Sequence, residues 1–241
     1  MNRRVRGVVV ASAAVGLAHA LPAACGIAGV RRRWFPRVAG VGRGDHIALT
    51  FDDGPDEKST PEFLDGLAAL GWRATFFMLG SMVRRAPALA AEVAKAGHEI
   101  ALHGFAHDSH LLQPPGRVLD DLRRGYAAVA EGTGQAPAWV RPPYGHVATA
   151  TIVGARELRT PLVLWTAWGR DWRSVSTPTN VVSEIERGLT RGGTVLLHDS
   201  DCTSAPGSWR AAAGALPLLA ERLAERGWTA GPLGEHGLGL R

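Results

Sequence analysis

The stretch HIALTFDDGP, residues 46–55, carries an apolar run directly into two adjacent carboxylates and a Gly-Pro turn. A short apolar run closed by a turn signal reads as a buried strand. The turn itself needs only one Asp before Gly-Pro, so the second carboxylate requires another explanation. Working outward, comparable runs occur at 74–79 (ATFFML), 98–103 (HEIALH), 138–143 (AWVRPP), 161–166 (PLVLWT) and 194–199 (TVLLHD), and all read as strands. Between them, helix-like segments are expected at 60–70, 81–96, 116–131, 149–158, 178–190 and 208–226. Thr60-Pro61-Glu62 suits a helix start, and Gly71, Gly97 and Gly192 suit helix ends. Strand-then-helix repetition implies an α/β fold with a parallel sheet, closed as a barrel or left open. The GVGRG stretch at 40–44 precedes a strand instead of following one, so it is no dinucleotide fingerprint.

The chain has 241 residues, 46% of them hydrophobic and 20% charged, enough for one sizeable core. Its net charge of +5 is unevenly placed. Residues 1–43 hold eight of the 27 basic residues and no acid, leaving 19 bases against 22 acids in residues 44–241. The remainder is therefore slightly acidic, which argues against a nucleic-acid partner. An Arg-rich start followed by the uncharged span 8–30 reads as a signal peptide, with an h-region at 8–17 and an Ala18-His19-Ala20 cleavage site, or as a membrane anchor. The expected division is residues 1–43 as leader or anchor plus linker and 44–241 as the domain. Cys25 and Cys202 do not form a disulfide framework.

The polar residues fall at the C-terminal ends of the expected strands: Asp52 and Asp53, His103 and His107, Arg141 and Tyr144, Asp171 and Trp172, His198 and Asp199. In a barrel of parallel strands these ends share one face, where catalytic groups gather. His103 and His107, spaced i and i+4, can converge on one ion, and Asp53 would complete a set that leaves positions open for water and substrate. Alone, two such histidines read more readily as a surface or capping pair; His98 and His110 are neighbouring decoys. A cation on one carboxylate would let its neighbour stay ionised as a base, which gives the Asp52-Asp53 pair a purpose.

TFDDGP, HGFAH, RPPYG, WTAWGRDW and LLHD occur in the order and spacing of the five motifs of the polysaccharide deacetylase family, the NodB-homology domain of carbohydrate esterase family 4, and the resemblance covers roughly residues 44–230. It implies a distorted (β/α) barrel of about seven parallel strands, one divalent metal, usually zinc, and hydrolysis of an acetyl group on a glycan such as peptidoglycan or a chitin-like oligosaccharide. Carried across, it implies Asp53, His103 and His107 as metal ligands, Asp52 as base and Arg141 as its partner. It further implies Tyr144 as oxyanion donor through its N–H, Trp172 and Leu196 as walls of the acetyl pocket, and His198 as general acid tuned by Asp171. A monomer acting outside the cytoplasm, with membrane contact only through the N-terminal segment, is expected. Two departures stand out. Gly104 occupies a position where the family commonly has Ser or Thr, and Trp168 one where Asp is frequent. Trp139, Trp165, Trp168 and Trp209 are candidate sugar-stacking faces, though strand-borne Trp is more often core. The alternatives are a catalytically inactive carbohydrate-binding homologue, a deacylase of another small acylated sugar, and a glycosidase. The last needs carboxylates across a cleft and leaves both histidines without a role.

Overall fold

A computed structural model describes residues 16–238; the expected h-region at 8–17 lies largely outside them. Six parallel strands, β1 (His46–Asp52), β2 (Thr75–Met78), β3 (Glu99–Leu102), β4 (Ala167–Trp168), β5 (Thr194–His198) and β6 (Thr229–Gly231), form one sheet in the order β3-β2-β1-β5-β4, with β6 paired to the start of β1. The α/β parallel expectation holds. The strands expected at 138–143 and 161–166 shrink to single bridges, Leu102 to Val140 and Val140 to Leu162. Prolines 137, 142, 143 and 161 explain this, since each lacks the N–H a ladder needs. The segment after Pro161 nevertheless closes the ring. The Val163 N–H donates to Val140 O on one side, while the Thr166 and Gly169 N–H groups donate to Thr194 and Leu196 on β5.

Among the described residues, eight α-helices with defined bounds follow in chain order: α1 (Ala28–Trp34), α2 (Thr60–Ala69), α3 (Gly80–Arg85), α4 (Pro87–Lys95), α5 (Pro115–Thr133), α6 (Thr149–Glu157), α7 (Pro178–Gly188) and α8 (Trp209–Glu225). The single helix expected at 81–96 is two. Pro87 drives its predecessor out of the helical region, and Ala86 takes φ −133°, ψ 62°. Gly192 has φ 66° but lies in the turn before β5, beyond the end of α7 at Gly188.

The period of two along β1 divides the core. Ile47, Leu49 and Phe51 pack outward with helix side chains, Phe51 meeting Phe63 and Phe76 with ring centroids 5.1 Å apart, whereas Ala48 joins Phe77, Ala101 and Val163 in a separate cluster. By the same parity Thr50 and Asp52 lie on the Ala48 face, inside the barrel. Asp53 is the first residue beyond β1.

Chain N-terminal to β1 is packed onto the barrel. Arg31 is buried and donates to Trp165 O, Arg32 donates to Gly188 O at 2.7 Å, the Leu164 N–H donates to Val38 O, and the Thr194 hydroxyl donates to Gly40 O. Within the Gly-rich stretch 39–45, read from the sequence as linker, Gly40 and Gly42 are thus held by the fold. Among the described residues no helix is long and apolar enough to cross a membrane, and Cys25 and Cys202 are free.

Candidate active site

β1 ends at Asp52, 2% exposed, and the chain then turns through Asp53 at φ 82°. A left-handed, non-glycine residue costs on the order of 1–3 kcal/mol and persists where its surroundings impose it. The turn separates the two carboxylates. Asp52 Oδ1 accepts from the Arg141 guanidinium at 2.6 Å, while Asp53 Oδ1 lies 3.3 Å from Nε2 of both His103 and His107. His103 Nδ1 donates to Arg141 O at 2.8 Å; since a carbonyl only accepts, a neutral ring presents a lone pair at Nε2. His107 is the weaker base of the two: burial pulls its pKa down and outweighs the pull of Asp53. For His103 burial acts in the same sense, but Asp52 and Asp53 prevail and raise the pKa. Burial alone would raise the pKa of Asp53, yet the imidazoles of His103, His198 and His107 around it hold it well below the carboxylate range.

Asp53 Oδ1 is buried and accepts no hydrogen bond. A buried anionic oxygen 3.3 Å from two imidazole nitrogens, one of them the His103 lone pair, calls for a cation between them. The potential ligand atoms of Asp53, His103 and His107 lie within 4.8 Å of one another, and no other such cluster occurs among the described residues. The donor set therefore fits a divalent ion such as zinc.

Arg141 is fully buried and donates three hydrogen bonds, from Nη1 to Thr50 Oγ1 at 2.9 Å and to Asp52, and from Nη2 to Leu164 O at 2.9 Å, while its Nε has no partner; its guanidinium lies 3.9 Å from the Phe77 ring centroid. Tyr144, at φ 59°, is exposed and meets the His107 ring edge-on at 4.5 Å. Opposite, Asp171 grips His198 twice: the backbone N–H donates to Oδ2 at 2.8 Å and Nδ1 lies 3.0 Å from Oδ1. Trp172 packs edge-on against His198 and tilts against Trp168. A cavity of about 190 Å³ is lined by Asp52, Asp53, His103, His107, Tyr144, Trp172, Leu196 and His198, with Trp165, Trp168 and Thr203 completing much of its wall. Every site residue expected from the sequence is thus either on this cavity or, for Arg141 and Asp171, hydrogen-bonded to a residue that is. Trp139 is buried, and the decoys His98 and His110 are absent from the cavity wall.

The sequence profile of the polysaccharide deacetylase family matches residues 39–163, more than half of the chain. The chain belongs to that family. A peptidoglycan-N-acetylglucosamine deacetylase of Listeria monocytogenes is 35% identical over 170 residues, 70% of this chain but 36% of the relative, so this chain spans little more than a third of that protein's length. One of the same description from Bacillus cereus is 37% identical over 155 residues, 64% of this chain and 72% of that protein. Among solved structures, the Bc1960 peptidoglycan N-acetylglucosamine deacetylase, in complex with 4-naphthalen-1-yl-N-oxidanyl-benzamide, matches with TM-score 0.76 and 26% identity over 84% of this chain and 94% of that one. The parallel α/β fold of the family is thereby shared.

Two side chains at this family site have no role assigned from the sequence. Thr203 donates to Asp53 Oδ2 at 2.8 Å, which leaves Oδ1 to face the histidines. Thr203 follows β5 by five residues in an irregular loop, and nothing in its spacing marks it. Asp199 is buried, which raises its pKa to about 7; it accepts from the Gly54 N–H and from Thr60 Oγ1, joining the end of β5 to the start of α2. Its place beside His198 in LLHD was the available signal.

Burial alone would lower the His198 pKa, but Asp171 first, then Asp53 and Asp52, push it up to about 10. Such a raised value contributes stability that is fully present below about 6.5 and is lost as pH rises through about 10. In chelator-treated protein, NMR titration should show Asp171→Asn moving the His198 pKa down toward its ordinary value. An unchanged pKa would mean that Asp171 does not hold the proton there.

Proposed function

We propose that the protein is a metal-dependent deacetylase removing N-acetyl groups from an N-acetylglucosamine-type glycan, peptidoglycan or a chitin-like oligomer, outside the cytoplasm. The observation that carries this reading is the convergence, around one cavity, of an Asp/His/His donor set, a second carboxylate paired with a buried Arg, and a His–Asp pair on the far wall. The names of the relatives support the substrate class.

A divalent ion held by Asp53, His103 and His107, zinc in this proposal, would supply positive charge against the acetyl carbonyl and make the attacking water more acidic. Asp52 is the base. Arg141 pairs with Oδ1, and the carboxylate takes a proton from water as the water oxygen attacks the acetyl carbon. The Tyr144 N–H donates to the developing oxyanion. His198, whose Nδ1 side is held by Asp171, donates from Nε2 to the leaving nitrogen as the C–N bond breaks, giving acetate and a free amine. Trp172 and Leu196 enclose the acetyl methyl. Asp52 and Asp171 have separate partners, Arg141 and His198, so the base and the acid sit on different walls of the cavity.

The test is product analysis: incubation with N-acetylglucosamine oligomers and with peptidoglycan should yield free amines and acetate in equal amounts. Glycan binding with no acetate from any acetylated glycan would favour the inactive, carbohydrate-binding alternative.

A further inference from the structure

We infer that Asp121, on α5, is a positioning residue for His107: its carboxylate fixes the loop that aims the second imidazole of the metal-binding set. The inference rests on the proposed metal role of Asp53, His103 and His107. Only residues 104–106 separate His103 from His107, and their backbone is secured from two sides. The Phe105 N–H donates to Asp121 Oδ2 and the Ala106 N–H to Asp121 Oδ1, both at 2.9 Å. In the other direction, Gly104 O and Phe105 O accept from the Gly80 and Ser81 N–H groups at the start of α3, both at 2.9 Å. Two backbone amides on one carboxylate are charge-assisted bonds of the stronger kind.

The loop depends on this clamp because the His107 ring lacks one of its own. His107 Nδ1 is buried with no hydrogen-bond partner, so the ring direction is set by the backbone that carries it and by its edge contact with Tyr144. Gly104 fits the same scheme. It sits at φ 94°, and a Cβ there would come within 2.6 Å of Asp121 Oδ2. One turn along α5 from Asp121, a Cβ on Gly125 would meet the Gly104 carbonyl carbon at 2.6 Å, so helix and loop approach backbone to backbone. At that separation a short Asp reaches both amides. The loop is thus held from the neighbouring helix, at a position where the motif commonly carries a hydroxyl in the loop itself. The remaining close group is His110, whose Nε2 lies 3.8 Å from Asp121 Oδ2, beyond hydrogen-bond range.

Partners that orient metal ligands typically contribute about 10–100-fold in metal affinity. The experiment is zinc binding by the full chain, in competition with a chromogenic chelator, well below the unfolding temperature, where a loss of stability alone leaves affinity unchanged. Asp121→Asn, which keeps one acceptor oxygen, should weaken zinc binding about 10-fold, and Asp121→Ala about 100-fold. Gly104→Ala should weaken it as well, and less so in the Asp121→Ala background, because both changes remove one contact. Zinc binding by the wild type together with wild-type affinity in both Asp121 variants, or strictly additive effects in the cycle, would overturn the positioning role alone. Failure of the wild type to bind zinc would overturn the metal assignment, and this role with it.

Discussion

Asp52→Asn is expected to lower kcat/KM for acetate release by about 10³-fold, within the range a general base supplies, while zinc binding is retained. The variant is close to isosteric. Its amide oxygen can still accept from Arg141, so the buried guanidinium keeps a partner, but an amide takes no proton from water. Asp52 is not in the Asp53, His103, His107 donor set, which is why metal content should survive. Chelator competition and acetate assay on the same preparation separate the two. Undiminished acetate release would remove Asp52 as the base, and loss of zinc together with activity would make it a ligand instead.

The largest expected effect on stability comes from Arg141→Met. Arg141 is fully buried, and its removal strands the Asp52 carboxylate, 2% exposed, together with Leu164 O. Breaking a buried ion pair from one side costs about 3–5 kcal/mol. For a domain of this size that lowers Tm by about 6–20 °C. Adding Asp52→Asn to Arg141→Met should recover part of the loss, because the stranded charge is then gone; thermal unfolding of the single and double variants reads this directly. A single-variant Tm within 2 °C, roughly the shift of less than 1 kcal/mol at this chain length, would show that the pair contributes little.

The runs at β1, β2, β3 and β5 were legible because a buried parallel strand is apolar on both faces and the turn chemistry at its end is local. The stretches around Val140 and Leu162 read as full strands but form only isolated bridges. Their composition is strand-like, but prolines 137, 142, 143 and 161 remove ladder donors and leave only bridges. Ala86 was placed inside a helix because the apolar period continues across Pro87. β6 gave no signal: three residues, paired only to the start of β1, are too few for a period to show. At the site, residues inside motifs were legible, since each motif spans a strand end and its loop. Thr203, reaching Asp53 from a loop, and Asp121, reaching residues 105–106 from a helix, were not. Their contacts depend on how separate elements approach one another, which no local spacing encodes. Residues 39–45 look like linker by composition, yet Gly40 is tied to Thr194 on β5 and Gly42 to Gly192 in the turn before it.

The central claim is that one ion held by Asp53, His103 and His107 and one proton acceptor at Asp52 together make this cavity a deacetylase. The most direct measurement is acetate released from N-acetylglucosamine oligomers by wild-type protein as purified, after chelation, and after zinc is returned, with Asp52→Asn carried through the same three conditions. Release by the wild type that stops on chelation and resumes with zinc, with the Asp52→Asn variant remaining about 10³-fold slower throughout, is the predicted result. Release that persists in the chelated protein, or that Asp52→Asn leaves undiminished, would contradict it.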